Sequence, residues 1–365
     1  MVKEKKIKEI FVCSSVFHLF QSLYIGENIT NEKILIYIDV SSKKVPFKVF
    51  SDNFKEIIYI RNYKNDFVLS KLFSKLLYEG RLFNFSKLGK ICNEKNVKFN
   101  VYVFNDFQPT TTKIIQKTKK NKNSIKLVEE GLMTYSTNQY WLQIQHHKIL
   151  NKILGIQVEN TCRHNHAIDT IMCRNPEKLP LIKTQGRKIV KINNLFLDKK
   201  WVNKMIDLLN IDFSFNYENT AIWLGQPLAK DSILNDDLQE IEFVKEIVQT
   251  FKGKYHLVIK THPRDLLIKY KDLLKMEGIS IIDLGDKNWI PAELIFQKIK
   301  PKLILTPFSS AADFFLEINN DTKIIYCAKA MGIKLDNESI NCLKGRNKYL
   351  PENIKEIKTI IFNDD

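Results

Sequence analysis

The sequence predicts an α/β protein made of two doubly wound domains. In each half of the chain, short runs of β-branched residues alternate with stretches that have helical spacing. Strands that alternate with helices form βαβ units around a parallel sheet. A length of 365 residues is enough for two domains that each bury a core of their own.

Ten runs are predicted to be strands, five in each half of the chain. They are residues 10–13, 34–38, 57–60, 101–104, 125–128, 221–224, 255–260, 280–282, 303–305 and 324–327. Residues 67–77 have amphipathic helical spacing, residues 195–209 are predicted to be a helix, and residues 210–220 have the aperiodic composition of a linker. We therefore expect a first domain over 1–215 and a second over 216–365. The last helix is a candidate for packing back on the first domain.

The composition is that of a soluble globular protein, with 44% apolar and 27% charged residues. No run of about 18 apolar residues occurs, and the N-terminus lacks the features of a secretory signal, so we expect a cytoplasmic protein. The net charge of +16 attracts anions, but most of the excess is lysine, and the bias of an AT-rich genome also explains it. Six lysines from Lys113 to Lys126 predict a solvated face, with peripheral contact with the inner membrane as the alternative.

Missing motifs argue against several classes of cofactor and metal protein. The chain has no GxGxxG fingerprint, no P-loop and no GxSxG elbow, so no bound cofactor is predicted. Its six cysteines are scattered and include no CxxC pair. The one cluster of histidines and cysteines fits no common zinc spacing. It consists of Cys162, His164 and His166, with Cys173 beyond. A polar loop explains this cluster equally well, and no metal site is predicted.

Three short motifs follow three of the predicted strands, at the strand ends where open α/β sheets bind their ligands. The motifs are Glu129-Glu130-Gly131, His262-Pro263 and Ser309-Ser310. The first lies in the first predicted domain and the other two lie in the second. Gly225 directly follows another predicted strand, where it could let the backbone approach a nucleotide.

Each motif has a chemical interpretation and a simpler structural one. An acid at the end of a rigid strand can act as a general base on a hydroxyl, and a histidine can donate to a phosphate. The two serines precede a helix predicted from Ala311, whose positive end attracts an anion. Singly, the motifs are more simply an exposed turn, a loop and an N-cap. Their order and position favour a common role, and we expect adjacent strands to bring His262 and the serines to one phosphate.

This series of motifs resembles the signature of bacterial sialyltransferases with a GT-B fold. In that signature, [Asp/Glu]-[Asp/Glu]-Gly is followed by His-Pro and then by Ser-Ser. Here the intervals are 133 residues from Glu129 to His262 and 47 residues from His262 to Ser309. The resemblance implies two Rossmann-like domains facing a central cleft. It also implies that the first domain binds the acceptor and the second binds the nucleotide sugar.

Members of these families transfer sialic acid from CMP-sialic acid to a sugar hydroxyl, with inversion and without a metal. The resemblance assigns the base to Glu129, with Glu130 and Gly131 completing its motif. It assigns the phosphate contacts to His262, Ser309 and Ser310, the cytosine contact to Lys260 and the ribose contact to Glu293, while Pro263 completes the His-Pro motif.

The predicted function is therefore an inverting, metal-independent sialyltransferase that acts on lipooligosaccharide or capsule. The acceptor would be a galactose- or sialic-acid-terminated glycan. One alternative is another GT-B glycosyltransferase with a CMP-Kdo or hexose-nucleotide donor. A second is a basic nucleic-acid-binding protein, but arginine is scarce relative to lysine and no aromatic residues are interleaved with it, so no nucleic-acid partner is predicted. The linkage, and which of Glu129 and Glu130 is the base, remain open at this stage.

Overall fold

The protein is described here by a computed structural model that covers residues 6–39, 45, 47–61, 91–92, 94, 96–106, 108–120, 122–136, 165–211, 219–251, 253–335 and 337–362. The chain divides into two compact units, Met1–Leu195 and Phe196–Asp365. Within the described residues, each unit contains one sheet whose paired strands all run parallel. No helix in those residues combines the length and the apolar character needed to cross a membrane.

The sheet of the first unit has the strand order β3-β2-β1-β4-β5-β6-β7. Because the chain order reverses between β1 and β4, the topological switch point of this sheet lies there. The strands are β1 (Lys6–Cys13), β2 (Glu32–Asp39), β3 (Glu56–Arg61), β4 (Val97–Val103), β5 (Ser124–Val128), β6 (Thr170–Cys173) and β7 (Lys188–Lys191). The described helices are α1 (Val16–Glu27), α2 (Pro109–Lys119) and the single turn α3 (Leu181–Thr184).

Helices α1 and α2 begin close to the ends of the strands that precede them. Ser15 caps α1, since its Oγ accepts a hydrogen bond of 3.2 Å from the backbone N–H of His18. Pro109 occupies the first turn of α2, where its missing N–H costs no hydrogen bond. The residues that follow β1 and β4 are therefore held at the carboxyl edge of the sheet, on both sides of the switch point.

The sheet of the second unit has the strand order β10-β9-β8-β11-β12-β13. The strands are β8 (Thr220–Leu224), β9 (His256–Lys260), β10 (Ile279–Ile281), β11 (Leu303–Thr306), β12 (Lys323–Tyr326) and β13 (Lys348–Tyr349). The helices are α4 (Lys199–Leu208), α5 (Asp237–Phe251), α6 (Ala292–Ile299), α7 (Ala311–Leu316), α8 (Asn337–Leu343) and α9 (Ile354–Phe362). Here the order reverses between β8 and β11, which places the second switch point beside Gly225.

All ten predicted strands are observed, with shifted ends. Three further strands were not predicted, namely β6, β7 and β13. The first two have four residues each and the third has two, so none is long enough to show a period in the sequence. Helix 195–209 is observed as a short 3-10 turn followed by α4. The helix predicted over 67–77 lies outside the described residues.

The two units meet in sequence at 195/196, whereas the expected boundary was near residue 215. The segment after Leu195 joins the second unit because it packs there. The ring of Phe196 contacts that of Phe314 with 6.1 Å between centroids, and its carbonyl accepts a hydrogen bond of 3.2 Å from Gln297 Nε2. The last helix, α9, packs on the core of the second unit through the buried Ile357 and Ile361.

Candidate active site

The first unit brings four loops together at the carboxyl edge of its sheet. Strands β1, β4, β5 and β6 are successive neighbours there. The acid pair Glu129 and Glu130 directly follows β5, where the sequence predicted it. A tight turn also follows, as expected, because Gly131 has a φ of 143° that other residues rarely adopt, and a 3-10 turn comes next.

The Glu129 carboxylate is fully buried and is surrounded by hydrogen-bond donors. Its Oε1 accepts from Arg174 Nε at 3.0 Å and from Arg174 Nη2 at 2.8 Å. Its Oε2 accepts from Arg174 N and from Tyr135 Oη, both at 2.6 Å. These four bonds occupy the approximately four lone-pair sites that a carboxylate offers. The arrangement is that of a buried ion pair that ties the end of β5 to the end of β6.

The surroundings of this ion pair shift the pKa values of two neighbours. Burial, together with the charge of Glu129, raises the pKa of Tyr135 well above its usual range, so its hydroxyl stays a donor. Burial also raises the pKa of the Cys173 thiol to about 12, with a further contribution from Glu129. Cys173 therefore stays protonated near neutral pH, which disfavours it as a metal ligand.

Glu130 occupies a different environment from Glu129. Its side chain is 29% exposed, and its Oε1 lies 3.3 Å from Nε2 of His18, which is only 1% exposed. The backbone N–H of Glu130 donates to Thr134 Oγ1 at 3.1 Å. Successive residues after a strand tend to point to opposite sides, which explains why two adjacent acids have such different surroundings. The prediction that Glu129 is the base stays a prediction.

In the second unit, Gly225, His262 and Ser309 follow three neighbouring strands. The order is β9-β8-β11, so β8 separates the strand before His262 from the strand before Ser309. The expectation that these two strands are adjacent is wrong. At the usual strand spacing they lie about 10 Å apart, so both side chains must reach across the end of β8 to share a phosphate.

Gly225 has a packing reason to be glycine. A Cβ at this position would collide with the hydroxyl of Tyr270 and would lie 3.2 Å from its Cζ. Tyr270 is itself fixed, since its hydroxyl donates to the buried Glu240 at 2.6 Å. The approach of a nucleotide to this glycine remains a prediction.

Glu240 forms the centre of a buried charged cluster below the β8 loop. It accepts hydrogen bonds from Trp223 Nε1 at 3.1 Å and from Lys269 Nζ at 2.6 Å, as well as from Tyr270. Burial alone would lower the pKa of Lys269, but Glu240 and neighbouring aspartates raise it above its usual range. Lys269 Nζ also donates to the carbonyl of Gln226 at 3.3 Å. The cluster therefore holds the loop that carries Gly225.

Gln226 links this loop to the Ser-Ser motif. Its Oε1 accepts from the backbone N–H of Phe308 at 3.0 Å, and Ser309 N donates to Thr306 Oγ1 at 3.1 Å. Ser309 Oγ in turn accepts from Ala311 N at 3.3 Å, as an N-cap would. A hydroxyl that accepts in this way keeps its own proton for a ligand. Ser310 occupies the N-cap position of α7 without a side-chain cap bond.

The imidazole of His262 is held in one tautomer by its own loop. Its Nδ1 accepts a hydrogen bond of 3.0 Å from the backbone N–H of Arg264, which assigns the ring proton to Nε2. The backbone N–H of Asp265 donates to the carbonyl of His262 at 2.8 Å and closes the turn that contains Pro263. His262 is therefore arranged to donate a hydrogen bond from Nε2.

The two residues predicted to contact the nucleoside lie at the end of β9 and in the first turn of α6. Lys260 is buried and donates to the carbonyls of Thr261 at 2.9 Å and Asn288 at 3.3 Å. Glu293 is also buried, in the first turn of α6 that starts shortly after Asn288. The loop before α6 is thus held close to the end of β9, while the base and ribose contacts themselves stay predictions.

Only some residues of the remaining candidate sites lie in the part of the chain that the structure describes. Cys162 and His164 lie outside the described residues, and no group of metal-ligating side chains occurs in the part that the structure describes. Of the six lysines from 113 to 126, Lys119 contacts Asp169 at 2.5 Å and Lys126 donates to Tyr102 at 2.9 Å. Peripheral contact with a membrane stays a prediction.

Comparison with known proteins identifies the family. The sequence matches the family described as "Alpha-2,8-polysialyltransferase (POLYST)" over residues 9–328. The chain belongs to this family. The match includes the acid pair, the His-Pro motif and the Ser-Ser motif, so the resemblance inferred from these motifs is confirmed. The alternative of a non-enzymatic nucleic-acid-binding protein is set aside, because the family is one of glycosyltransferases.

Solved structures with the same fold support the α/β, GT-B architecture of this polysialyltransferase family member. It is similar to the UDP-GlcNAc 2-epimerase of Methanocaldococcus jannaschii, with a TM-score of 0.56, 13% identity and coverage of 99% of this chain and 94% of that one. It is also similar to Arabidopsis thaliana UGT89C1 complexed with UDP-L-rhamnose, with a TM-score of 0.54, 11% identity and coverage of 99% and 89%. At such identities the likeness establishes the fold alone. No significantly similar sequence was found among curated proteins.

Arg174, Tyr135 and His18 were missed by the sequence analysis. Arg174 follows β6, which is too short to be predicted, so nothing marked it as a strand-end residue. His18 had a visible signal, because Ser14-Ser15 follows a clear strand and His18 comes three residues after the capping serine. Applying the strand-end argument to β1 as well would have found it.

Proposed function

We propose that this protein transfers sialic acid from CMP-sialic acid to a hydroxyl of a sialic-acid-terminated glycan, with inversion and without a metal ion. The observation that carries the proposal is the family match over residues 9–328, which includes all three motifs. The family description favours an α2,8 linkage and therefore a sialic acid acceptor over a galactose acceptor. Capsule is then a more natural product than lipooligosaccharide.

The geometry of the second unit supports a site for the leaving phosphate. His262 carries its proton on Nε2, and Ser309 and Ser310, in the loop after β11, offer hydroxyl protons. Hydrogen bonds from these donors would strengthen as negative charge develops on the departing CMP phosphate. Such donors can stabilise the charge of a monophosphate without a cation. Lys260 and Glu293 are proposed for the nucleoside, and Gly225 for the close backbone approach.

The first unit supplies the acid–base part of the reaction in this proposal. In an inverting transfer, the acceptor oxygen attacks the anomeric carbon directly while CMP leaves on the opposite face. A carboxylate of the Glu129–Glu130 pair takes the proton of the acceptor hydroxyl, as general bases do in such steps. The family resemblance assigns this role to Glu129.

The test is a donor and acceptor screen with the purified full chain. Donors are CMP-sialic acid, CMP-Kdo and UDP-hexoses, and acceptors are α2,8-linked trisialic acid and lactose, each with and without excess EDTA. We expect a mass increase of one or more sialic acid residues on trisialic acid, with CMP-sialic acid only, and unchanged rates in EDTA. Transfer from a UDP-hexose, or loss of transfer in EDTA that Mg²⁺ or Mn²⁺ restores, would favour the other GT-B alternatives.

A further inference from the structure

The loop after β8 leaves the sheet between the His-Pro motif and the Ser-Ser motif. β8 is the middle strand of the three neighbours β9-β8-β11, and the segment that follows it, residues 225–234, is the β8 loop. His262 follows the strand on one side of this loop, and Ser309 follows the strand on the other side. Any phosphate that both motifs share must therefore lie over the β8 loop, and the spacing of the motifs depends on what the loop contacts.

The start of the β8 loop is tied to both neighbouring strands. Gly225 N donates to the carbonyl of Lys260, at the end of β9, at 3.0 Å. On the other side, Thr306 Oγ1, at the end of β11, donates to the carbonyl of Leu224 at 3.2 Å. Thr306 is fully buried, and the same oxygen accepts from Ser309 N at 3.1 Å. The loop thus begins at a point that is fixed relative to the strands before both motifs.

The body of the β8 loop is braced from within. Asp231 N donates to the carbonyl of Pro227, and Ile233 N donates to the carbonyl of Leu228, both at 2.9 Å. Leu228 is 1% exposed and belongs to a small apolar cluster on which Phe308 also packs. Since the loop has its own hydrogen bonds and its own apolar anchor, a side chain on it can hold a neighbouring loop in place.

The far end of the β8 loop holds the His-Pro motif. The Arg264 guanidinium donates to both oxygens of Asp231, at 2.7 and 2.6 Å, and Lys230 Nζ donates to the carbonyl of Arg264 at 2.8 Å. Arg264 is also the residue whose backbone N–H donates to His262 Nδ1. Such a two-bond pair fixes orientation as well as distance. Because its side chains are 40% and 34% exposed, it adds little to stability, and its main effect is on position.

The near end of the β8 loop holds the Ser-Ser motif. Gln226 Oε1 accepts a hydrogen bond of 3.0 Å from the backbone N–H of Phe308, the residue directly before Ser309. The carbonyl of Gln226 is held in turn by Lys269 Nζ at 3.3 Å, which belongs to the buried charged cluster around Glu240. Gln226 therefore connects a rigid part of the unit to the loop that carries the two serines.

We propose that the β8 loop sets the spacing of the two phosphate-binding motifs, with Asp231 as a positioning residue for His262 and Gln226 as a positioning residue for Ser309. This inference rests on the proposed function. Asp231 acts through an imidazole whose N–H matters as charge develops on the leaving group, so its loss is expected in kcat. Gln226 acts through hydroxyls that bind the donor already in the ground state, so its loss is expected in the KM for the donor.

The test of the His-Pro contact uses the full chain with CMP-sialic acid and α2,8-linked trisialic acid. Asp231→Ala should lower kcat by about 10–10²-fold, the order expected for a displacement of up to about 1 Å, with unchanged CMP affinity and melting temperature. In a His262→Ala background the same substitution should have no further effect, because the group that it positions is absent. Glu246→Ala, which removes an exposed acid of α5, is the matched control and should behave as the wild type.

The test of the Ser-Ser contact uses Gln226→Met, which keeps the length of the side chain and loses the amide oxygen. It should raise the KM for CMP-sialic acid and weaken CMP binding by about 2- to 12-fold, the range of an ordinary hydrogen bond, with kcat nearly unchanged. Its effect should shrink in a Ser309→Ala background and should add to that of Asp231→Ala. Gln239→Met is the matched control, because Gln239 Oε1 also accepts from a backbone N–H, that of Asn235 at 3.3 Å, in a different segment.

The proposal is overturned if Asp231→Ala keeps the wild-type kcat, or if its loss persists in full in the His262→Ala background. It is also overturned if Gln226→Met leaves both the KM and the CMP affinity unchanged. Should Asp231→Ala fail to fold, Asp231→Asn, which keeps the shape and loses the charge, takes its place.

The donor screen separates a failure of this inference from a failure of the proposed function. If the wild type uses another donor, the sialyl donor is wrong, and the same variants are compared with the donor that works. If the wild type binds CMP without transfer, the proposed function fails, and the CMP affinities of Gln226→Met and Gln239→Met still test the Ser-Ser contact. Neither transfer nor CMP binding would overturn both.

Discussion

The ion pair of Glu129 and Arg174 predicts that the first acid of the motif is needed for stability. Replacing Glu129 with Gln removes the buried negative charge that pairs with the guanidinium of Arg174, whose side chain is 8% exposed. It also removes an acceptor from Tyr135 Oη or Arg174 N, which both bind Oε2. Removing one partner of a buried pair typically costs about 3–5 kcal/mol. At about 2–4 °C per kcal/mol for a unit of this size, the melting temperature should fall by about 6–20 °C.

The assay is thermal and urea unfolding of the full chain, following the transition of the first unit. Arg174→Met should cost about as much as Glu129→Gln, because it leaves the carboxylate buried without its charged partner. The double variant Glu129→Leu/Arg174→Met should recover much of the loss, since both charges are then absent. Glu130→Gln is the control, and its partly exposed contact should be worth about 1 kcal/mol or less.

This reasoning is refuted if the effects of the two substitutions on the free energy of unfolding are additive. Residues that share a buried pair should show a coupling energy of about 0.5–3 kcal/mol in a double-mutant cycle. If the costs of Glu129→Leu and Arg174→Met simply add, the two side chains do not depend on each other. If Glu129→Gln melts at the wild-type temperature, the ion pair does not stabilise the first unit.

Three further predictions concern the second unit. Gly225→Ala should destabilise it by about 1–3 kcal/mol through the clash with Tyr270, and unfolding in a Tyr270→Phe background should show a smaller added cost. His262→Ala should lower kcat by about 10²–10³-fold with little change in CMP affinity, because its N–H donor acts as charge develops on the leaving group. An equal loss of kcat and of CMP affinity would contradict this. Ser309→Ala and Ser310→Ala should chiefly raise the KM for CMP-sialic acid, by about 10- to 150-fold if each hydroxyl donates to a charged phosphate.

The sequence could predict which residues of the site lie just after the ends of strands. Strong β-branched runs identified β5, β9 and β11, and the motifs begin one to three residues after the ends of these strands. Which strands lie next to each other in the sheet could not be predicted from the sequence in the same way. The strand before His262 and the strand before Ser309 are separated by β8, because the doubly wound order places the earliest strand of the unit in the middle of the sheet.

The partners of the motif residues were largely beyond sequence reasoning. Arg174 is 45 residues after Glu129 and follows a strand of four residues, so neither its spacing nor its context marks it. Tyr270 and Glu240 are likewise distant from Gly225 in sequence and meet below it only in the folded unit. Such buried polar contacts depend on which loops the sheet order makes neighbours, and the order becomes visible only in the structure.

The acid pair illustrates why a motif can identify a site and still leave its chemistry ambiguous. Here Glu129 is fully buried, whereas the side chain of Glu130 is 29% exposed. Because a buried charge needs a partner, the Glu129 carboxylate is paired with Arg174, while Glu130 lies 3.3 Å from His18 Nε2. Loss of activity on substitution of Glu129 can therefore come from a lost base or from a lost ion pair. Loss of activity alone cannot tell them apart, whereas stability measured beside kcat can.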